Sequence, residues 1–537
     1  MFRCSTFVLV LALSALPAVV PAEARPSHAP ARVTIEQGML EGETAGRVTA
    51  FRGIPYAAPP TGAARFRGPQ APVAWTGVRM AQDFGPACPQ LIDADLTENN
   101  NAVMAEDCLS LNVWTPRVDA RKRPVMVWIH GGAFVVGSTR NTYYDGARLA
   151  ARGDVVVVTV NYRLGAWGFL ALGEFGADYA ESANVGLLDQ VAALRWVRDN
   201  IAKFGGDPRN VTIFGESAGA SSVGALLSLP AADGLFAKAI LQSGTPTTLT
   251  SQALQRSVRL AGQFLKLAGV ESPAQLATKS MQDLLNAQQQ LFAEHSELGT
   301  FGPQIDGVTL KETPFTVVAE GRGSRVPVLI GMNREEMRYF STVEDLGLER
   351  KPRELLQRQL EESVGPAVTA QLLSTYGRLY PDWGDRVVQL SSDAFFLLPT
   401  VRTAEAAAAY HPVYMYLFTY QSTSTFKPFG SAHAMEIPFV FGVVDLPEVI
   451  AFTGRAPYRA ALAARMMDHW AAFARHGDPS LRGEPRWQPY ASHSRQTMEL
   501  GPESRLVDDP LGEQRKAWGG VLPGKDVAWR LLQDNGE

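Results

Sequence analysis

The ten residues from Val211 to Ala220, VTIFGESAGA, constrain this chain more than any other stretch. Val211-Thr212-Ile213-Phe214 is a β-branched and aromatic run of the kind a buried parallel strand needs. Ala218-Gly219-Ala220 opens a segment of small residues and leucines that reads as a helix. The chain must therefore turn sharply from strand to helix at Ser217. Glycines at 215 and 219 let neighbouring backbone approach where a side chain would clash, and the tight turn lifts the serine hydroxyl above the sheet edge. G-x-S-x-G alone is a weak pattern in a chain with 48 glycines among 537 residues. Its strand-to-helix setting makes it a nucleophile elbow.

Around the elbow the chain alternates strand and helix. Pro124 to Ile129 (PVMVWI), Asp154 to Tyr162 (DVVVVTVNY), Ala237 to Gln242 (AKAILQ), Val326 to Gly331 (VPVLIG) and His411 to Tyr420 (HPVYMYLFTY) read as buried strands, and Asn184 to Phe204 carries apolar residues at helical spacing. This alternation implies an α/β fold with a mainly parallel sheet covered by helices on both faces. Val33 to Phe51 alternates apolar and polar residues around glycines, as antiparallel strands at a sheet edge do, and FRGIPYAAPPTGAARFRGP after it reads as an extended surface segment. Ser251 to Glu297 and Lys351 to Tyr380 are predicted helical insertions that cap the site. Pro457 to His476 is a long amphipathic helix with the proline at its first position. The chemistry-bearing residues run from His130 to His433 and have to meet at one point, so residues 25–537 are read as a single domain.

The formal charge of -4, with no basic block or basic aromatic stripe, gives no footprint for nucleic acid. Residues 1–24 differ from the rest: Met1-Phe2-Arg3 is a short positive start, Thr6 to Val20 is an apolar run too short to span a bilayer comfortably, and Ala22-Glu23-Ala24 offers a small-residue cleavage site. This is a secretory signal peptide, which implies a secreted or periplasmic protein without stable membrane insertion once it is removed. Cys88 and Cys108 are then the only cysteines left, an even count in an oxidising compartment. A disulfide between them is the first reading, with two free buried thiols as the alternative.

A serine hydroxyl needs a base to take its proton and a third group to orient that base. In this architecture the order along the chain is serine, acid, histidine. Glu335 and Glu336 in GMNREEMRYF follow the strand VPVLIG, and His433 lies in the loop GSAHAMEIPF after the late strand. Loops at the carboxyl ends of parallel strands converge on one edge, where these groups can meet. An oxyanion formed in acyl transfer needs aimed backbone N–H groups; Gly131, Gly132 and Ala218 can supply them. Glu216 is either a buried hydrogen-bonded carboxylate or an electrostatic helper beside the imidazolium. His130, Asp306 and Asp393 read as structural. The residues 243–251, SGTPTTLTS, are expected near the bound acyl group. The histidines are scattered outside any metal-binding spacing, no glycine-rich fingerprint follows an early strand, and the chemistry calls for no metal or cofactor.

The stretches FRGIPYAAPPTGAARF, EDCLSLNVWTP, HGGAFVVGS, VNYRLGAWGFL, NVGLLDQVAALRWVRDNIAKFGGDP, FGESAGA, ILQSG and EIPFVFG together resemble the type-B carboxylesterase family, over nearly the whole chain beyond the leader. The resemblance implies an α/β-hydrolase fold and hydrolysis of a small-molecule carboxylic ester through an acyl-enzyme. Ser217 would be the nucleophile, Glu336 rather than Glu335 the acid and His433 the base. Gly131, Gly132 and Ala218 would form the oxyanion hole, Cys88 would pair with Cys108, and Ser243 would support the triad. Met337 stands where the family usually has a glycine. Two alternatives remain: a lipase acting on longer-chain esters, against which the mostly polar 88–108 loop speaks, and a non-catalytic adhesion or binding protein on the same fold. The ester and the oligomeric state are not specified by the sequence.

Overall fold

The computed structural model describes residues 29–91, 103–247, 254–295, 299–343, 346–520 and 525–532. Residues 1–28, which include the expected signal peptide, residues 92–102 of the Cys88–Cys108 loop, and both Ser251 and Glu297 lie outside them. Thirteen strands form one sheet: β1 (Ala29–Ile35), β2 (Gly38–Ala45), β3 (Val48–Pro55), β4 (Val78–Met80), β5 (Ser110–Thr115), β6 (Arg123–Ile129), β7 (Val156–Val160), β8 (Gly206–Glu216), β9 (Lys238–Gln242), β10 (Val328–Asn333), β11 (Val413–Phe418), β12 (Gln496–Leu500) and β13 (Arg505–Asp508). Their order is β1-β2-β3-β5-β7-β6-β8-β9-β10-β11-β12-β13, with β4 beside β2. Pairing is parallel from β7 across to β12 and antiparallel on the outer flanks, except that β4 runs parallel to β2.

The central strands are apolar runs because helices bury both of their faces. Val125, Val127 and Ile129 of β6 enter the core on one side of the sheet, while Met126 and Trp128 enter the core on the other. The β8 elbow strand lies between β6 and β9, so Ser217 emerges at the middle of the carboxyl edge. Buried within the same half is an ion pair, Arg163 to Asp189 at 2.7 Å, with both side chains essentially sealed from solvent.

Three local expectations need correction. The 51–69 segment is not a surface ribbon: Tyr56 and Phe66 are buried, and the Arg65 guanidinium is drawn inward by Glu106 (2.9 Å) and by the carbonyls of Leu276 and Lys279 (both 2.7 Å). The helix predicted over 351–380 is broken at Gly365 (φ 80°, ψ 162°) because Pro366 has no N–H and disfavours helical geometry in the residue before it. The long helix near the C-terminus starts at Arg459, with Pro457 ahead of it. The other insertion resolves into the helices Leu254–Leu267, Pro273–Leu276 and Met281–Glu294, the last two begun by Ser272 and Ser280 capping boxes. Strands β4, β5, β12 and β13 had not been expected at all.

Cys88 and Cys108 are joined, both buried, closing a loop with a sequence separation of 20. Replacing both by serine is expected to lower unfolding stability by about 3 kcal/mol, because the open loop restores entropy to the unfolded chain. The check is the displacement of the urea midpoint against the oxidised wild type.

Candidate active site

Ser217 sits at φ 57°, ψ −121°, directly between β8 and the helix Ala218–Leu226. A side chain other than glycine rarely holds a positive φ, and the surrounding backbone over-determines it here. The Ser217 N–H donates to the Gln242 carbonyl of β9 (2.9 Å), and the Ser217 carbonyl accepts from Ser221 (2.9 Å). The flanking glycines do what the sequence implied: a Cβ on Gly219 would lie 2.0 Å from the Ile129 carbonyl oxygen. Gly131 is held as closely, since a Cβ there would meet Glu216 Oε2 at 2.8 Å and Ser217 Cβ at 3.1 Å. The glycine turn after β6 thus lies against the elbow, and Ala218, buried at the first position of its helix, has no side-chain cap before it.

His433 lies in the loop after β11, 5 % exposed. Its Nδ1 is 2.6 Å from Glu336 Oε2, while Glu336 Oε1 accepts the Asn333 N–H at 2.7 Å. Because a carboxylate only accepts, Nδ1 carries the proton and Nε2 is the nitrogen left to act as a base. Nε2 approaches Glu216 Oε1 at 3.0 Å, though that oxygen makes no aligned hydrogen bond among the described residues. Glu335 points elsewhere, accepting from Gln421 Nε2 (2.9 Å) and the Ser431 N–H (2.8 Å). Of the two neighbours, Glu336 is therefore the one that contacts the histidine ring.

Charge dominates this pocket. Burial pulls the His433 pKa down, but the carboxylates of Glu216 and Glu336 outweigh it and raise it well above the ordinary 6.5. Burial pushes Glu216 up against the opposing pull of His433. A third carboxyl, Glu436, is pushed up to about 8 by burial and by the charges of Glu216 and Glu336. It accepts from Asn333 Nδ2 (2.7 Å) and Gln242 Nε2 (3.1 Å), and Trp470 Nε1 donates to Gln242 Oε1 (2.9 Å). Glu436, Asn333, Gln242 and Trp470 were not picked out from the sequence. A polar residue inside each of the apolar runs MEIPF and LIGMN is the only signal that could have marked the first two.

The rings lying on His433 were also missed. Phe340 and Phe396 come within 5.0 and 5.1 Å of it, centroid to centroid, and Tyr339 within 6.4 Å. They belong to the helix Met337–Thr342 and the π-helical turn Asp393–Leu397, not to the two insertions expected to cap the site. The broken helix Arg353–Leu379 packs instead on the helices Trp383–Ser392, Gly512–Ala517 and Lys525–Leu532. Met337 is buried at the first position of its helix, where its N–H donates to Ser392 Oγ at 2.9 Å. The Ser243 N–H donates to the Gly331 carbonyl (2.9 Å), and its buried hydroxyl makes no direct hydrogen bond among the described residues. Residues 243–247 pack under the elbow, where a Cβ on Gly244 would lie 2.3 Å from the Ser217 carbonyl oxygen, and the rest of that stretch lies outside the described residues.

His130 is structural in position. Its Nδ1 donates to the Gly131 carbonyl (2.8 Å), its ring stacks on Tyr162 (4.5 Å), and burial lowers its pKa to about 4, so it is neutral at pH 7. Asp306 accepts the N–H groups of Val308, Thr309 and Leu310, and Asp393 is bonded by Tyr376 and Gln389. Among the described residues no cluster of metal-ligating side chains occurs and no helix is long and apolar enough to cross a membrane.

The carboxylesterase family model matches residues 29–518. The chain is 40% identical to the para-nitrobenzyl esterase of Bacillus subtilis over 491 residues, covering 90% of this chain and 97% of that one. It is 33% identical to Neuroligin-2 of Mus musculus, covering 90% of this chain and 66% of that one. Among solved structures, a carboxylesterase of Geobacillus stearothermophilus superimposes with a TM-score of 0.82 at 39% identity, covering 91% of this chain and 99% of that one.

The two carboxylates on one imidazole make a titration measurable. Because His433 is raised in the folded protein, it adds stability below the unfolded value near about 6.5 and loses it as the pH climbs through the raised folded value. Glu216→Gln removes one negative charge at 3.0 Å and is expected to shift the His433 midpoint downward. The imidazole nitrogen resonances followed by NMR across pH report it, and an unmoved or higher midpoint would sink this account of the pair.

Proposed function

We infer, for a chain that belongs to the carboxylesterase family and is a carboxylic-ester hydrolase of the α/β-hydrolase fold, that the chemistry runs through a Ser217–His433–Glu336 triad and an acyl-enzyme. One observation carries this reading: a strained serine at the carboxyl edge of the sheet directly follows Glu216, whose carboxylate is 3.0 Å from one nitrogen of a buried histidine, and the other nitrogen of that ring is locked on Glu336 at 2.6 Å. Ser217 Oγ attacks the ester carbonyl while His433 Nε2 takes its proton and passes it to the leaving alcohol. The carbonyl oxygen, now negative, is met by the N–H groups of Gly131, Gly132 and Ala218. Glu336 fixes the ring and balances its charge. Glu216 stabilises the imidazolium from the other side. Water then attacks the acyl-enzyme through the same base and the acid leaves. No cofactor enters these steps.

The substrate is a small-molecule ester. Residues 25–537 are read as one catalytic domain, which the single sheet running from Ala29 to Asp508 supports. Secretion or export to a periplasm rests on the leader composition and on the buried disulfide, which suits an oxidising compartment.

Ser217→Ala is expected to abolish hydrolysis by several orders of magnitude in a folded protein, and a fluorophosphonate probe should add once, at Ser217. Labelling at another serine, or none, counts against the triad. Glu336→Gln should lose kcat by roughly ten-thousand-fold with substrate affinity kept, whereas Glu335→Gln should change it little. With His433 raised, the rising limb of kcat/KM lies above the pH 6 to 7 range of an ordinary histidine. A rate profile with its midpoint inside that range would contradict the role given to Glu216.

A further inference from the structure

We propose that Gln90 is a positioning residue for the oxyanion hole, acting through Gly137 on the peptide that joins Gly131 to Gly132. The proposal rests on the reading of Gly131 and Gly132 as oxyanion donors. The turn from Gly131 to Gly137 leaves β6 with no strand beside it. It closes partly on itself, with the N–H groups of Val135 and Val136 donating to the Gly132 carbonyl at 2.9 and 3.0 Å. Its exit is held by the Gln90 side chain. Gln90, 2 % exposed, accepts the Gly137 N–H on Oε1 (2.9 Å) and donates from Nε2 to the Gly137 carbonyl (3.0 Å). The amide satisfies both main-chain groups of a buried residue, as a neighbouring strand would. Nε2 also donates to the Cys88 carbonyl (2.9 Å), so the disulfide-bonded segment sets where Gln90 stands.

Gly137 is pressed in turn on the site. A Cβ there would lie 2.5 Å from His130 Nδ1 and 2.6 Å from the Gly131 carbonyl oxygen, so its backbone packs directly on the contact between those two groups. That carbonyl shares a planar peptide with the Gly132 N–H, and all described peptides are trans, so the N–H points opposite to the C=O. Any tilt of the Gly131 carbonyl is a tilt of the Gly132 N–H. Removing Gln90 frees Gly137, and the donor moves off the place where negative charge develops. A ground-state ester, whose carbonyl is nearly neutral, loses little by this; the tetrahedral species loses most.

The test is Gln90→Leu, close in size but without donor or acceptor, with active sites counted by fluorophosphonate titration so that unfolded protein does not enter the rate. The expected result is a fall in kcat per titrated site of about tenfold to a hundredfold with KM changed less than about threefold. Affinity for a trifluoromethyl ketone, whose carbonyl carbon bonds to Ser217 Oγ and leaves an oxyanion in the hole, should fall in the same proportion, while affinity for a product alcohol is kept. Gln90→Glu keeps an acceptor for the Gly137 N–H and should fall between. Unchanged kcat per site, or equal loss for the ketone and the alcohol, overturns the proposal. If Gln90→Leu does not fold, Gln90→Glu decides by the same readouts, and wild-type kcat and ketone affinity there overturn it. The wild type separates the two layers: if it binds the trifluoromethyl ketone no more tightly than the product alcohol, the oxyanion reading itself fails, whereas if the ketone binds tightly and the Gln90 variants keep that affinity, only the role of Gln90 falls.

Discussion

A serine held at φ 57° is the constraint on which the rest of the site depends. Such a conformation costs on the order of 1 to 3 kcal/mol and persists only where neighbours leave it no relaxed alternative. Here the neighbours are main chain. The Gln242 carbonyl holds the Ser217 N–H, the end of β6 lies against Gly219, and the glycine turn lies against Glu216 and Ser217. Strand order and elbow are thus one problem, because only a central strand flanked by parallel partners has backbone on both sides to grip the turn.

The second demand is electrostatic. Three buried carboxyl groups, Glu216, Glu336 and Glu436, converge near one imidazole, and all of them at full charge would repel strongly in a medium of low dielectric. The site answers by unequal treatment. Glu336 is held by the Asn333 N–H and His433, Glu436 is raised to about 8 and so is largely protonated at pH 7, and Glu216 faces the opposite nitrogen of the ring at 3.0 Å. The apolar cover of Phe340 and Phe396 keeps water from screening these differences.

What the sequence made legible follows from how local each signal is. The elbow, the glycine turn and the buried parallel strands announce themselves within ten residues, because strain demands glycine and burial demands β-branched runs. His433 and the pair Glu335–Glu336 could be placed by their position after strands, but which glutamate turns inward depends on the backbone path and on Asn333 and Ser431, which no local pattern encodes. Gln90, Gln242 and Phe396 were invisible for the same reason: each acts on a partner brought beside it only by the tertiary fold. The break at Gly365-Pro366 was written locally and was overridden by helical periodicity on either side.

Arg65 carries a consequence for the order in which the molecule can be completed. Its guanidinium is sealed among acceptors that include the Leu276 carbonyl, 211 residues further along. A chain emerging from its amino end has the first three strands in hand long before that acceptor exists, and contacts so distant must wait for the intervening loop to close. Glu106 supplies its charged partner from nearer in the sequence, but the carbonyls of Leu276 and Lys279 that complete its burial come from beyond Ser217. A chain cut short before Lys279 therefore leaves this cation without two of its acceptors, however many of the sheet's strands it already holds.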